Sequence, residues 1–253
     1  MKYKKNFFEK KGYIILNTKL DNDLLFNKLC DEIENRINHL AKISNIKKLG
    51  GYIVGNLNIN QGPFGSRLYS FVFKKKLINF FEKITKKKIN QFDIKFGGNL
   101  ALSKKGTQQF HTDGKFTNEM YLVSIATENI SLKNGPTEIC VGSHMKPLSF
   151  WEFFFSKKQK KKLTMKKGQI LIRKHNLWHR GTKNLSNKNR LLLSFIMTPK
   201  SRKTKLKTSR VNFGIIHNSF KNNFIGRIHE TIYVYLSFLI IFSKLFISLI
   251  KKN

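Results

Sequence analysis

Two textures divide the chain near residue 90. Before it, apolar side chains recur at three-to-four spacing; after it, they come in short runs broken by turns. Residues 12–17, Gly-Tyr-Ile-Ile-Leu-Asn, predict a short buried strand. Asp21 or Asp23 then reads as a helix N-cap, followed by Phe26, Cys30, Ile33, Ile37, Leu40 and Ala41 on one face. Gly50-Gly51 breaks that pattern, and 55–65 reads as loop, with Gly62-Pro63 as a turn signal. Leu77, Phe80, Phe81 and Ile84 mark a second amphipathic helix, closed by Lys86–Lys88, where positive charge suits the dipole. From 91 onward the runs 92–96, 120–127, 137–141, 168–173 and 190–198 predict strands, punctuated by Gly97-Gly98, Asn134-Gly135-Pro136 and Lys167-Gly168. Short strands at irregular spacing argue for a sandwich or barrel-like β core such as a jelly roll, with helices ahead of it. Lys157–Lys162 reads as an exposed basic loop. There is no internal repeat.

Length and composition narrow the partners. A chain of 253 residues, 40% hydrophobic, has ample material for a folded core. The net charge of +35 suggests a nucleic-acid ligand, but 41 of the 49 basic residues are Lys and they are dispersed. A nucleic-acid reader would cluster Arg with stacking aromatics, so that class is disfavoured. Attraction to anionic lipid or an anionic substrate explains the charge as well. Cys30 and Cys140 stand far apart in apolar contexts, which predicts buried packing and a reducing compartment. The N-terminus carries no apolar core of the secretory kind, and the expected location is cytoplasmic.

The chemistry concentrates in two stretches. One is Gln109-Phe110-His111-Thr112-Asp113-Gly114; the other is Leu177-Trp178-His179-Arg180-Gly181-Thr182, with Arg190 beyond it. Two imidazoles and one carboxylate can occupy one face of an octahedral Fe(II), leaving three positions for oxygen chemistry. With seven His and five Asp in the chain, a His-x-Asp triplet alone is weak. Its context is stronger: Gly98-Asn99-Leu100 ahead of it, Asn134-Gly135-Pro136-Thr137-Glu138-Ile139-Cys140-Val141-Gly142-Ser143-His144 between, and Lys167-Gly168-Gln169-Ile170-Leu171-Ile172 leading to the second His.

In these segments, and in the N-terminal Gly-Tyr-Ile-Ile-Leu, the chain resembles the phytanoyl-CoA dioxygenase-like group of Fe(II)/2-oxoglutarate-dependent oxygenases from about residue 12 to 198. The resemblance implies a mostly β fold with flanking helices: a double-stranded β-helix (jelly roll, cupin-like) with N-terminal helices packed on it. It implies that His111, Asp113 and His179 ligate Fe(II), and that Arg190 pairs with the distal carboxylate of 2-oxoglutarate. A planar guanidinium suits that bidentate contact. Asn99 and Thr182 are weaker cosubstrate ligands, Thr182 more so because Gly181 stands where many relatives carry a hydroxyl. Dioxygen would be consumed and succinate and CO2 released. The expected reaction is hydroxylation of a C–H bond in a small-molecule or lipid-like substrate. Halogenation is disfavoured because Asp113 fills the third ligand position. The rivals are a catalytically inactive jelly-roll binding protein and a basic nucleic-acid-binding protein. His175 and His179 also make a zinc-like His-x3-His, without good partners. His144 reads as a hydrogen-bonding loop residue, and Trp178 as packing beside the metal.

The domain boundaries follow: an oxygenase domain over 1–215 (helical 1–90, β core 91–199) and a tail over 216–253. After the basic tract 200–210, residues 232–250 are apolar but for scattered Tyr, Ser and Lys244. On a helical wheel Glu230, Tyr233, Ser237, Lys244, Ser248 and Lys251 fall within about 60° of one another. So narrow a polar stripe predicts a hydrophobic C-terminal helix over 228–250 that contacts an anionic membrane surface, peripheral at the inner face. The alternative is a helix covering an apolar face of the core.

Overall fold

This computed structural model of the chain describes residues 2–43, 53–73, 77–113, 119–200, 214–216 and 223–236. The helices are α1 (Lys2–Lys11), α2 (Leu24–Ile43), α3 (Pro63–Val72), α4 (Ile78–Thr85), α5 (Phe150–Phe154) and α6 (Phe224–Tyr235). The strands are β1 (Tyr13–Leu16), β2 (Asn56–Asn60), β3 (Phe92–Ala101), β4 (Tyr121–Ala126), β5 (Thr137–Cys140), β6 (Lys160–Leu163), β7 (Ile170–Lys174), β8 (His179–Gly181), β9 (Arg190–Pro199) and β10 (Gly214–Ile216). Seven strands form an antiparallel sheet in the order β1-β7-β4-β9-β3-β2-β10; three form a second, β6-β5-β8. This is the mostly antiparallel, helix-flanked jelly roll the sequence predicts.

Side-chain alternation along the large sheet decides what faces what. Leu191, Leu193, Phe195 and Met197 of β9, Val123 and Ile125 of β4, and Ile170 and Ile172 of β7 share one core with Phe26, Ile33 and Ile37 of α2 and Phe81 of α4. The intervening positions, Leu192, Ala126 and Leu171, pack instead with Ile139 of β5 and Leu163 of β6. Both faces of the central strands are therefore covered, so their sequence runs are continuously apolar rather than alternating. Each fully buried Leu, Ile or Phe contributes about 1.5–3 kcal/mol relative to exposure. Where the inner face turns polar, at Arg173 on β7, Arg190 on β9 and His179 on β8, all three side chains are buried.

Local signals account for most boundaries. Asp23, not Asp21, caps α2: its Oδ1 accepts from the backbone N–H groups of Leu25 and Phe26 at 3.0 and 3.2 Å. Helix α4 stops at Lys86, which adopts a left-handed φ of 58°. The predicted loop at 55–65 is a correction. Its first part is β2, and Pro63 occupies the first turn of α3. Gly65 lets α3 approach the sheet, since a Cβ there would lie 2.3 Å from that of Phe96. The predicted basic loop is corrected in part as well: Lys160–Lys162 belong to edge strand β6, with their side chains exposed. Cys30 and Cys140 are free and buried, as expected; burial pushes the Cys30 thiol up to about 12.

The tail tells a mixed story. Helix α6 is capped by Asn223, whose side chain accepts from Gly226 N–H at 2.8 Å. Residues 237–250 of the predicted helix, and the basic tract beyond Lys200, lie outside the described residues. No described helix is long and apolar enough to cross a membrane. The described part is docked. Buried Glu230 accepts from Ile53 and Val54 N–H through one oxygen, at 2.9 and 2.8 Å. Gln109 Nε2 donates to the Val234 carbonyl at 2.6 Å. Glu230 and Tyr233, two members of the predicted polar stripe, thus lie where the helix meets this core, Tyr233 touching Gln109.

Candidate metal centre

The two histidines of the predicted set face each other across a β bridge. His111 N–H donates to the His179 carbonyl and His179 N–H to the His111 carbonyl, both at 2.9 Å. Such a doubly bonded antiparallel pair sends both side chains to the same face, and the ring centroids are 4.4 Å apart. Asp113, two residues on, shares that face. Nitrogen or oxygen atoms of His111, Asp113 and His179 all lie within 4.8 Å of one another, the one group among the described residues able to hold a metal ion. His111 Nε2 is 3.9 Å from Asp113 Oδ1, and His179 Nε2 is 3.5 Å from Oδ2.

Backbone carbonyls set the histidine tautomers. His111 Nδ1 lies 2.8 Å from the Gln109 carbonyl and His179 Nδ1 3.0 Å from that of Leu177. A carbonyl only accepts, so both Nδ1 atoms carry the proton and both Nε2 lone pairs point into the site. Burial, reinforced by Arg173, pushes His179 down to about 3, so it is neutral near pH 7. Burial works to raise the Asp113 carboxyl, but Arg173, His179 and His111 together outweigh it and hold it well below the ordinary range. Two imidazole nitrogens and one carboxylate fit a first-row divalent ion such as Fe(II).

Arg173 is the functional residue that sequence reasoning missed. Its buried guanidinium donates to Asp113 Oδ2 at 2.7 Å, and the same nitrogen lies 3.0 Å from His179 Nε2. A cation thus already sits between two of the three ligand atoms. His111, Asp113 and His179 would hold the ion, and an ion held there would compete with this guanidinium for Asp113 Oδ2 and His179 Nε2. The signal in the sequence was a charge ending the apolar run 168–173, six residues before His179.

Arg190 is almost wholly buried, at 1% exposure. Its guanidinium donates to the Gly135 carbonyl at 2.5 Å, and more weakly to the Asn134 carbonyl and Asn99 Oδ1, each at 3.5 Å. Burial lowers its pKa to about 10, opposed by Glu128, which leaves it charged at neutral pH. Thr182 spends its hydroxyl on the Pro136 carbonyl at 2.7 Å. Arg190, Asn99 and Thr182 therefore gather around the 134–136 turn. Gly181 has a physical reason to lack a side chain: a Cβ would lie 2.6 Å from Asn56 Oδ1 and 2.9 Å from Gln108 Oε1.

The other sequence candidates separate from the centre. His175 turns its Nδ1 to the Met120 carbonyl at 3.1 Å and is not part of the ligand group. His144 is buried with Nε2 2.8 Å from the Glu9 carbonyl, a structural role. Trp178 points to the outer side of the small sheet, stacked on Phe153 at 4.2 Å.

Residues 8–192 match the family described as phytanoyl-CoA dioxygenase (PhyH). No curated protein sequence matches the chain. Among solved structures, the non-haem alpha-ketoglutarate-dependent carbocyclase SnoK from nogalamycin biosynthesis is similar at 13% identity, covering 88% of this chain and 94% of its own, with a TM-score of 0.59. AviO1 from Streptomyces viridochromogenes is similar at 11% identity, covering 79% and 95%, with a TM-score of 0.61. HygX from Streptomyces hygroscopicus, solved with nickel and 2-oxoglutarate, is similar at 10% identity, covering 79% and 87%, with a TM-score of 0.57.

Proposed function

Because the chain belongs to the phytanoyl-CoA dioxygenase (PhyH) family, whose members are Fe(II)- and 2-oxoglutarate-dependent oxygenases, we propose that it hydroxylates a C–H bond of a small-molecule or lipid-like substrate. The cofactors of this family are Fe(II), 2-oxoglutarate and dioxygen. Together they supply an oxidant for C–H bonds while the cosubstrate becomes succinate and CO2. The observation that carries the reading is the convergence of His111, Asp113 and His179 on one point from a single hydrogen-bonded strand pair.

Each residue has a defined task in this reading. His111 and His179 offer Nε2 lone pairs fixed by the carbonyls behind them, and ionised Asp113 offers the one negative charge. Arg190 is charged, buried and, among the described residues, held by three acceptors, two of them at 3.5 Å, so donor capacity remains for the distal carboxylate of 2-oxoglutarate. Asn99 steadies that guanidinium, whereas Thr182 holds the 134–136 turn through its bond to Pro136. The similar solved structures include a carbocyclase and an epimerase, so hydroxylation is set against those outcomes by the 18O2 experiment. Occupation of the third ligand position by Asp113 argues against halogenation.

The test is anaerobic reconstitution with Fe(II) and 2-oxoglutarate, read as a visible charge-transfer band, followed by air and measurement of succinate. His179→Ala removes a ligand and is expected to abolish both signals. Stoichiometric iron and turnover in that variant refute the ligand assignment. A band without succinate in the unaltered protein would make it a binding protein. Label from 18O2 absent from the oxidised product would exclude hydroxylation.

A further inference from the structure

An aromatic and basic patch on the outside of the small sheet has no part in the metal centre. Helix α5 begins with a capping box: Ser149 Oγ accepts from Glu152 N–H at 3.2 Å, and Ser149 N–H donates to Glu152 Oε2 at 2.7 Å. One side of the helix is anchored by Phe153, which stacks on Trp178 at 4.2 Å and meets Phe110 at 5.0 Å. The other side faces solvent with large apolar surfaces. Phe154 is 58% exposed, Phe155 72%, and nearby Met145 64%. These rings hold one another in place: Trp151 stacks on Phe155 at 5.9 Å, and Phe154 meets Phe155 edge-on at 5.3 Å. A soluble surface does not gain by exposing such a cluster.

Lysines dominate the charges around it, and Glu138 on the neighbouring strand is taken up by Arg180 at 2.6 Å. Between residues 145 and 162 stand six lysines, at 146, 157, 158, 160, 161 and 162, against a single carboxylate, Glu152, committed to the capping box. The chain returns from α5 into β6 through Ser156, whose hydroxyl donates to the Phe153 carbonyl, and Gln159, whose carbonyl accepts from Val141 N–H. The aromatic cluster and the lysine strand thus lie side by side at one edge of the three-stranded sheet.

We propose that this edge is a docking surface for an anionic lipid bilayer, with Trp151, Phe154 and Phe155 entering the headgroup boundary and Lys157, Lys158 and Lys162 facing lipid phosphates. Aromatic rings partition to that boundary, and a basic flank draws them to anionic leaflets. The patch is a raised helix rather than a groove, which suits a flat fluid partner better than a peptide. Single-stranded RNA fits less well. The stacked Trp151 and Phe155 rings cover each other's faces, and the adjoining Arg180 is already committed, lying over the Phe110 ring at 4.4 Å and donating to Glu138 Oε2 at 2.6 Å.

The experiment is co-sedimentation of the full chain with vesicles of phosphatidylcholine alone and of phosphatidylcholine with phosphatidylglycerol. The unaltered protein is expected in the pellet with the anionic vesicles, and Phe154→Ser with Phe155→Ser is expected to lower its partition at least tenfold. Replacing Lys157, Lys158 and Lys162 by Gln is expected to remove the preference for phosphatidylglycerol. Trp151 fluorescence should shift to the blue on vesicle addition, and the shift should vanish in Trp151→Phe. Mn(II) affinity, unchanged across these variants, shows that the metal centre is intact. Equal partition of the Phe variant and the unaltered chain overturns the proposal and assigns lipid binding elsewhere on the chain. Trp151 quenching by a single-stranded RNA oligomer, without vesicle binding, overturns it in favour of RNA.

Discussion

Replacing Arg173 by Met should tighten metal binding, although Arg173 is itself bonded to a ligand. Its guanidinium bonds Asp113 Oδ2 at 2.7 Å, between side chains that are 7% and 30% exposed, and reaches His179 Nε2 at 3.0 Å. An incoming ion must take both atoms. The contact given up is a hydrogen bond between charged groups, worth about 1.5–3 kcal/mol, and the partial exposure of Asp113 favours the lower end. In Arg173→Met that competitor is gone while the buried stem is kept. The dissociation constant for Mn(II) should therefore fall about tenfold or somewhat more, since about 1.4 kcal/mol is one decade. Anaerobic titration of apo-protein followed by electron paramagnetic resonance of free Mn(II) measures this directly. Arg173→Lys retains the charge without the fork and should fall between the two. Unchanged or weaker Mn(II) binding in Arg173→Met would mean that Arg173 positions Asp113 for the metal and does not compete with it.

Other consequences can be checked separately. Arg190→Lys keeps the charge and loses the planar fork, so 2-oxoglutarate affinity should drop by roughly 1.5–3 kcal/mol in titration calorimetry; no change would place the carboxylate elsewhere. Glu230→Ala removes the acceptor shared by Ile53 and Val54 N–H and should cost about 3 kcal/mol. Amide exchange at those two positions should rise with it, and unaltered protection would refute the tie. Burial holds His144 at about 4 against 6.5 when unfolded. The unfolded chain therefore takes up the proton first, and stability should fall as pH drops from 6.5 towards 4, by up to about 3 kcal/mol. His144→Gln should flatten that slope in urea unfolding; an equal slope would place the acid sensitivity in other groups.

Elements whose signal is local were readable in the chain; those that depend on distant partners were not. Helix α2 announces itself through Phe26, Cys30, Ile33 and Ile37 on one face and a capping Asp23. The central strands are legible as apolar runs. Strand β2, Asn-Leu-Asn-Ile-Asn, hides because asparagine is a poor strand former and only Leu57 and Ile59 are apolar; Asn56 is buried, Asn60 half-buried and Asn58 exposed, so the segment resembles a loop. Three residues of β8 are too few for any periodicity, yet they carry His179. The candidate ligands were singled out by residue type and by the family resemblance of their segments, and the fold brings them within 4.8 Å of one another. Arg173 escaped because nothing in a linear reading says that residue 173 and residue 113 share one face. Only the strand order brings them within 2.7 Å.

The main-chain pairing of His111 with His179 has a consequence for what the sequence can tolerate. The two candidate ligand histidines are placed by peptide groups rather than by neighbouring side chains, so the outward residues Phe110, Trp178 and Arg180 can vary without moving the two imidazoles apart. Length is another matter. One residue inserted immediately before either histidine reverses which side of the sheet it faces and empties the site, whereas two restore the facing with a shifted register. Between Asp113 and His179 the strands β4, β5, β6 and β7 are held by registers of their own. Only the loops joining them can lengthen or shorten while His111, Asp113 and His179 keep their places.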